Sequence, residues 1–219
     1  LMTKKNAIKG VGITALAGLL VIGGSLAYFT DKNKAENFIS LGHVDITLTE
    51  EMQNPLNPEE TISYRDPVNV LPGDRISKIP LIHLAEDSLP SYIRATIAIV
   101  NPGNVTPPVT IDSIDLDKDN WVCIKDEAAD YVWTCYFVGG EREGILNPGD
   151  TAELFTEVKI PGEWGVEANA SEVEVTVSAE AVQADGFRPV YERNGDAITS
   201  VSWVDKDGKE IQTEKFILR

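Results

Sequence analysis

A two-residue alternation of apolar and polar side chains runs through most of this chain beyond residue 40. Five valines and alanines alternate with polar residues over 172–182, and four apolar residues share one face over 92–100. The segments 43–49 and 152–160 follow the same pattern. Successive side chains of a β-strand point to opposite sides, so the alternation predicts strands with one packed face and one face in water.

Proline and glycine separate these alternating segments. Pro-Gly pairs stand at residues 72–73, 102–103, 148–149 and 161–162, and an Asp-Gly pair stands at 207–208. Such pairs favour tight turns. No long amphipathic helix is evident beyond residue 30. We therefore expect an all-β fold, a two-sheet antiparallel sandwich of jelly-roll type with at least seven strands.

The first 27 residues have the pattern of a signal peptide. Three lysines precede an uncharged stretch over 10–27, which ends with the small residues Ser25 and Ala27 in the positions that a signal peptidase requires. We expect a signal-peptide helix that is cleaved between Ala27 and Tyr28. The alternative is a retained membrane anchor, because this stretch is almost long enough to cross a bilayer.

The rest of the chain divides into three parts. The order expected along the whole sequence is a signal peptide at 1–27, an N-terminal segment at 28–42, a jelly-roll sandwich at 43–186, and a C-terminal β-hairpin or extension at 187–219. Within the last part, the segments 197–204 and 209–218 flank Asp207-Gly208, a strong hairpin signal. The pattern leaves open whether this part adds strands to the sandwich or forms a small appendage.

The chain is strongly acidic. Its formal net charge is −16, and because residues 1–30 contain three lysines and no acid, residues 31–219 have 16 basic and 35 acidic side chains, a net charge of −19. A field of this sign repels phosphate backbones, and no basic stripe interrupts it. We therefore expect no binding to nucleic acid.

The two cysteines, Cys123 and Cys135, lie in a stretch that resembles a hairpin. In an exported protein an even number of cysteines permits a disulfide, and closing so short a loop would contribute about 3 kcal/mol. The alternative is a pair of buried free thiols, because both positions share strand parity with neighbouring aromatic residues.

One acidic run has some features of a calcium loop. Over 115–120 the acids Asp115, Asp117 and Asp119 alternate, as oxygen ligands of Ca²⁺ often do. The run lacks the glycine at its sixth position and the glutamate at its twelfth, where Asp126 stands. A solvated strand end explains it better, so no metal site is expected.

Catalytic motifs are absent from the sequence. The chain has two histidines, His43 and His83, and neither lies in the HExxH pattern of a zinc peptidase. No Gly-x-Ser-x-Gly elbow is present for a serine nucleophile. We expect no catalytic residue and no cofactor. Asn104 and Asn169 begin glycosylation sequons, which are short and common.

The N-terminal region resembles the TasA/camelysin family of exported proteins. The resemblance lies in Ala27-Tyr28-Phe29-Thr30-Asp31, in the motif over 35–39 that includes Phe38 and Ile39, and in the motif over 42–50. It continues more loosely through 71–74, 91–95, 146–161 and 179–184. Residues 187–219 match no part of this pattern.

The resemblance implies a jelly-roll protein at the surface of Gram-positive bacteria, with a signal peptide cut by a SipW-type signal peptidase. It implies a subunit of biofilm-matrix fibres, in which the segment after the signal is donated as a strand to the next copy. The candidate donor-strand contacts are Tyr28, Phe29, Phe38 and Ile39. The partners implied are further copies of the chain and other matrix or cell-wall components.

The motifs and the resemblance leave three functions open. A non-catalytic fibre subunit predicts polymers, and a monomeric surface or spore-coat binding module predicts recognition of a partner or glycan. A camelysin-like metallopeptidase predicts proteolysis that a chelator stops, although the sequence offers no zinc motif for it. The first function is the one we expect, with the protein secreted to the extracellular matrix or the cell surface.

Overall fold

The computed structural model describes residues 43–103, 105–142, 144–165, 168, 172–195, 197–211 and 216–217. The predicted signal peptide, the cleavage site between Ala27 and Tyr28, and the whole N-terminal segment 28–42 lie outside the described residues. So do the two sequon asparagines, Asn104 and Asn169.

The described residues form fourteen β-strands and one short 3-10 helix. The strands, numbered in chain order, are β1 Ile46–Asn54, β2 Asn57–Ser63, β3 Arg75–Ser77, β4 Ile79–Leu84, β5 Ser91–Val100, β6 Trp121–Lys125, β7 Val132–Phe137, β8 Ile145–Leu146, β9 Thr151–Glu153, β10 Glu157–Lys159, β11 Glu174–Gln183, β12 Phe187–Asn194, β13 Ala197–Asp205 and β14 Phe216–Ile217. The helix covers Ile111–Ser113 and lies between β5 and β6.

All strand pairs are antiparallel. The first sheet has the order β2-β1-β4-β9, and the second has the order β14-β11-β5-β7-β6 with β8 also paired to β5. Two smaller sheets are formed by β10 with β3 and by β12 with β13. The prediction of an all-β fold with antiparallel sheets is confirmed.

The alternation in the sequence matches the packing of the two longest strands. Ala95 and Ile97 of β5 stand opposite Ala179 and Val177 of β11, and all four side chains are buried. These residues belong to one hydrophobic cluster that also includes Ile82 and its neighbours from the first sheet. The two larger sheets therefore share a core, and burial of this apolar surface is the main force that holds them together.

The prediction of one strand over 152–160 is wrong. The chain forms two short strands there, β9 and β10, which pair with β4 and β3 respectively. Asp115 causes the interruption, because its carboxylate accepts hydrogen bonds from the backbone amides of Thr156 and Glu157 at 2.8 and 2.7 Å. Leu154 and Val158 still lie buried in the same core, as their parity predicts.

The turn predicted at Asp207-Gly208 reverses the chain, but the long partner of β13 is another strand. β13 pairs along its length with β12, across the turn at Asn194-Gly195. Asn-Gly is as strong a hairpin signal as Asp-Gly, and longer alternating segments flank it. After Asp207-Gly208, among the described residues, Glu210 forms a bridge with Val204 and the Ile211 amide donates a hydrogen bond to the Trp203 backbone oxygen.

The β12–β13 hairpin packs as a third layer against the second sheet. A hydrophobic cluster separate from the main core joins the hairpin and the segment after it to β7 and β11, and its buried members are Tyr136, Val182, Val201, Trp203 and Ile211. The expectation that each sheet has one face in water is therefore wrong for the second sheet. The alternation of a single strand cannot show that a distant segment will cover its polar face.

Candidate functional site

The outer edge of β11 is a long strand edge, beside the main core, that is only partly paired among the described residues. Along its inner side, β11 pairs with β5 at every residue from Glu174 to Gln183. Along its outer side, within the part of the chain that the structure describes, it pairs only at Ser178 and Ala179. We call the outer side of Glu174–Gln183 the β11 edge. Strand edges present backbone donors and acceptors that another extended segment can bind.

Part of β1 adjoins this edge. Cα atoms of β1 come within 8 Å of Cα atoms of β11 and of β14. β1 pairs with β4 from Ile46 onwards, whereas its ladder with β2 starts at Glu51. Among the described residues, Ile46–Thr49 therefore has a ladder partner on one side alone. Within the described part of the chain, the β11 edge and this half of β1 therefore lie close together, each with unpaired strand positions.

The short strand β14 occupies the middle of the β11 edge. Phe216 stands opposite Ala179 and Ile217 stands opposite Ser178, in antiparallel register. This pairing shows that the edge accepts an extended segment. Sequence reasoning placed these residues in a strand over 209–218 but assigned that strand to 197–204, because nothing local indicates β11 as the partner.

A buried ion pair fixes the third layer beside this edge. Arg94 on β5 and Glu180 on β11 are register partners, and their side chains form an ion pair. The Glu180 side chain is 3% exposed and that of Arg94 is 19% exposed. The Arg94 guanidinium carbon also lies 4.7 Å from the centre of the Trp203 ring of the hairpin, a cation–π contact.

Tyr136 forms the second link between the layers. Its hydroxyl donates a hydrogen bond of 2.7 Å to the backbone oxygen of Val201, and its ring packs edge-on against Trp203. Burial raises the pKa of the Tyr136 hydroxyl above its usual value, while the nearby Arg94 acts in the opposite direction. The Tyr136 hydroxyl is thus hydrogen-bonded to the hairpin rather than to water.

A second buried ionic cluster lies beside the first sheet, near the end of β2. The Lys78 ammonium lies 2.6 Å from a carboxylate oxygen of Glu50 and 4.2 Å from the centre of the Tyr64 ring. Burial, together with Asp66 and Glu50, raises the pKa of Tyr64 to about 12. The ammonium is fully paired within the cluster, so this arrangement stabilises the fold and offers no reactive group.

The two histidines lie in separate polar surroundings. His83 is held on β4 between two hydroxyls, with Nε2 2.9 Å from Thr49 Oγ1 and Nδ1 2.8 Å from Thr151 Oγ1. His43 lies 3.4 Å from a carboxylate oxygen of Asp87. Neither arrangement joins a histidine to a serine or cysteine nucleophile and a carboxylate in the order that acyl-transfer catalysis needs.

The acidic run over 115–120 is engaged in the fold. Asp115 accepts from Thr156 and Glu157, and Asp117 accepts from the backbone amides of Asp119 and Asn120. Burial and these two aspartates raise the pKa of Glu153. Within the described parts of the chain, no group of three or more histidine, cysteine, aspartate or glutamate side chains is placed to hold a metal ion.

Cys123 and Cys135 stand opposite each other on β6 and β7 and form a disulfide. Cys135 is fully buried in the main core, while Cys123 packs at its border. The bond ties the edge strand of the second sheet to its neighbour.

The residues with predicted roles in export and strand donation lie outside the described residues. These are Ala27, Tyr28, Phe29, Phe38 and Ile39. Among the residues that the structure does describe, none belongs to a helix long and apolar enough to cross a membrane.

Comparison with known proteins gives no relative. No family model, no curated protein and no solved structure matches this chain. The motifs of the sequence and the geometry of the β11 edge are therefore the features that bear on function.

Proposed function

We propose that this chain is a non-catalytic, secreted structural protein, the subunit of an extracellular biofilm-matrix or cell-surface fibre assembled by strand donation. In this proposal residues 1–27 are a signal peptide removed by a SipW-type signal peptidase, and the body is a sandwich of jelly-roll type. The subunits bind one another and, in the matrix, other matrix or cell-wall components.

One observation carries the proposal: β11, a ten-residue strand of the second sheet, has a partner on its outer side at only two described positions. An added strand could hydrogen-bond along the β11 edge and next to Ile46–Thr49. Main-chain hydrogen bonds would supply the affinity, and pockets for alternate side chains would supply the specificity.

The donor in this proposal is residues 28–40 of a second copy. This segment has apolar residues at both ends, Tyr28 and Phe29 at one and Phe38 and Ile39 at the other, with a polar run between them. Removal of the signal peptide would free its start, which would confine assembly to the exterior of the cell. The disulfide between Cys123 and Cys135 suits an oxidising exterior.

Electron microscopy of the chain that begins at Tyr28 tests the proposal. We expect fibres, and we expect added salt to promote them, because the net charge of −19 opposes close stacking of subunits. A variant that lacks residues 28–37 should remain a folded monomer. The matched control replaces Asp31 by Ala and should still assemble, since it keeps the apolar ends.

Fibres from the variant that lacks 28–37 would refute strand donation by this segment. Absence of fibres from the chain that begins at Tyr28, at every salt concentration, would refute the fibre function itself. The intact mass of the secreted protein tests the processing step, and a mass that includes residues 2–27 would replace the secreted subunit by a membrane-anchored protein.

A further inference from the structure

We infer that β14 is a self-capping strand: it closes the middle of the β11 edge within the monomer, and a donor strand from a second copy must displace it. The inference depends on the proposed function for the identity of the donor. The cap itself depends only on the pairing of β14 with β11.

The position of β14 makes it a competitor of any added strand. Its two residues pair with Ser178 and Ala179, which are the fifth and sixth residues of the ten in β11. An added strand that ran along the whole edge would need the same two positions. Two extended segments cannot hydrogen-bond to the same positions on one side of a strand, so a donor that spans Ser178 and Ala179 and the pairing of β14 exclude each other.

The third layer holds β14 close to the edge. Ile211 is buried against the hairpin, and its amide donates a hydrogen bond of 2.9 Å to the backbone oxygen of Trp203. Phe216 follows five residues later, so β14 is tethered by a short connection. A short tether gives a high effective concentration at the edge, which allows a two-residue strand to compete.

The anchors of the third layer lie on the same strands that form the edge. Glu180 belongs to β11 itself and is the next residue after Ala179, and its partner Arg94 contacts Trp203 of the hairpin. The C-terminal part of the chain therefore covers two surfaces of the second sheet. The hairpin covers the outer face of the second sheet, and the strand that follows covers its edge.

Pairing of β14 with the β11 edge would keep the monomer from associating before assembly. Exposed strand edges are sites of uncontrolled pairing, and natural proteins cover them or keep them short. β14 covers the centre of the β11 edge and, among the described residues, pairs at two positions, while a donor could pair at up to ten. The longer strand has more hydrogen bonds to form, so displacement is favourable once a donor is available.

Two variants of the chain that begins at Tyr28 test the inference. The first ends after Ile211 and lacks β14. The second has Ser178→Cys and Ile217→Cys, two positions that are register partners, so that oxidation locks β14 onto the edge. The matched control has Glu192→Cys and Ser200→Cys, register partners within the hairpin that do not touch β14.

Hydrogen exchange of dilute monomer measures the cap without any assembly. We expect the amides within 177–180 that point away from β5 to exchange at least about tenfold faster in the shortened chain than in the parent, because their edge is uncovered. Light scattering at higher concentration then measures assembly. The shortened chain should assemble at least about tenfold faster, and the locked chain should not assemble until a reductant is added.

The control variant should assemble at the rate of the parent before and after the reductant is added. The reductant also cleaves the disulfide between Cys123 and Cys135 in this control, so an unchanged rate shows that loss of that disulfide does not alter assembly. Equal exchange over 177–180 in the parent and the shortened chain would overturn the inference. So would assembly of the locked chain at the rate of the parent, a result that remains informative if the shortened chain fails to fold. Faster exchange without fibres from any form would support the cap and refute the fibre function alone.

Discussion

Arg94 and Glu180 face each other across the β5–β11 ladder and form an ion pair beneath the C-terminal hairpin. This pair lies on the side of the sheet that the alternation of the sequence assigns to water. The hairpin removes it from water, and Trp203 stacks on the guanidinium. The pair therefore couples the stability of the third layer to the strand that bears the candidate edge.

The first prediction concerns this ion pair. Glu180→Ala removes the carboxylate that balances the largely buried Arg94 charge, and we expect the free energy of unfolding to fall by about 3–5 kcal/mol. The control is Asp130→Ala in the pair with Lys125, where the two side chains are 86% and 58% exposed. That change should cost less than about 0.5 kcal/mol. Equal losses in urea unfolding would contradict the structural role of Glu180.

The second prediction concerns the disulfide. Cys123→Ala with Cys135→Ala removes a cross-link over a separation of 12 residues. The chain-entropy argument gives a loss of stability of about 3 kcal/mol, which scanning calorimetry would detect as a lower Tm. A reductant should lower the Tm of the parent and leave that of the variant unchanged. An unchanged Tm in the variant would show that the cross-link adds nothing.

The third prediction concerns Tyr64. Burial raises its pKa to about 12, above the value of about 10 for a free phenol, so the folded state holds this proton more tightly than the unfolded state does. Its contribution to stability is therefore complete below pH 10 and is lost as the pH rises from 10 to 12. Titration of phenolate absorbance should show a late-ionising tyrosine that Tyr64→Phe removes. Burial also raises the pKa of Tyr136, so Tyr136→Phe is measured in parallel.

The fourth prediction concerns Asp115. Asp115→Ala removes the acceptor for the amides of Thr156 and Glu157, and we expect a loss of about 1–2 kcal/mol in unfolding free energy. Asp119→Ala, in the same acidic run, is the control and should cost much less. Calcium should not raise the Tm of the parent, because Asp115 and Asp117 already accept hydrogen bonds from the backbone. A saturable rise that Asp115→Ala abolishes would establish a calcium site instead.

The fifth prediction concerns catalysis. The purified protein should not cleave casein, with zinc added or with a chelator, because the described residues contain no group of three or more potential metal ligands and neither His43 nor His83 is joined there to a serine or cysteine nucleophile. Cleavage that required metal and disappeared in His43→Ala or His83→Ala would refute the non-catalytic function. The double variant should have the same fold, which circular dichroism would verify.

The sequence alone determined the class of fold and the inner face of the long strands. Ile93, Ala95, Ile97 and Ile99 of β5 and Val177 and Ala179 of β11 are buried on the packed side, as the alternation assigns them, whereas Ser178 and Glu180 are also buried on the side that it assigns to water. Periodicity is a local property, since the side-chain direction in a strand depends only on position along it. For the same reason the alternation predicts that Leu154 and Val158 lie in the core. Both are buried there, although the predicted strand that contains them is interrupted.

Only the tertiary structure decided which segments meet. Arg94 and Glu180 are 86 positions apart, and each alone has the pattern of a residue in water. The hairpin that covers them and the two-residue strand β14 on the β11 edge have no local signal for those partners. Pairing between distant segments is selected by the total apolar surface buried and the hydrogen bonds satisfied, and these quantities exist only when the whole chain is folded.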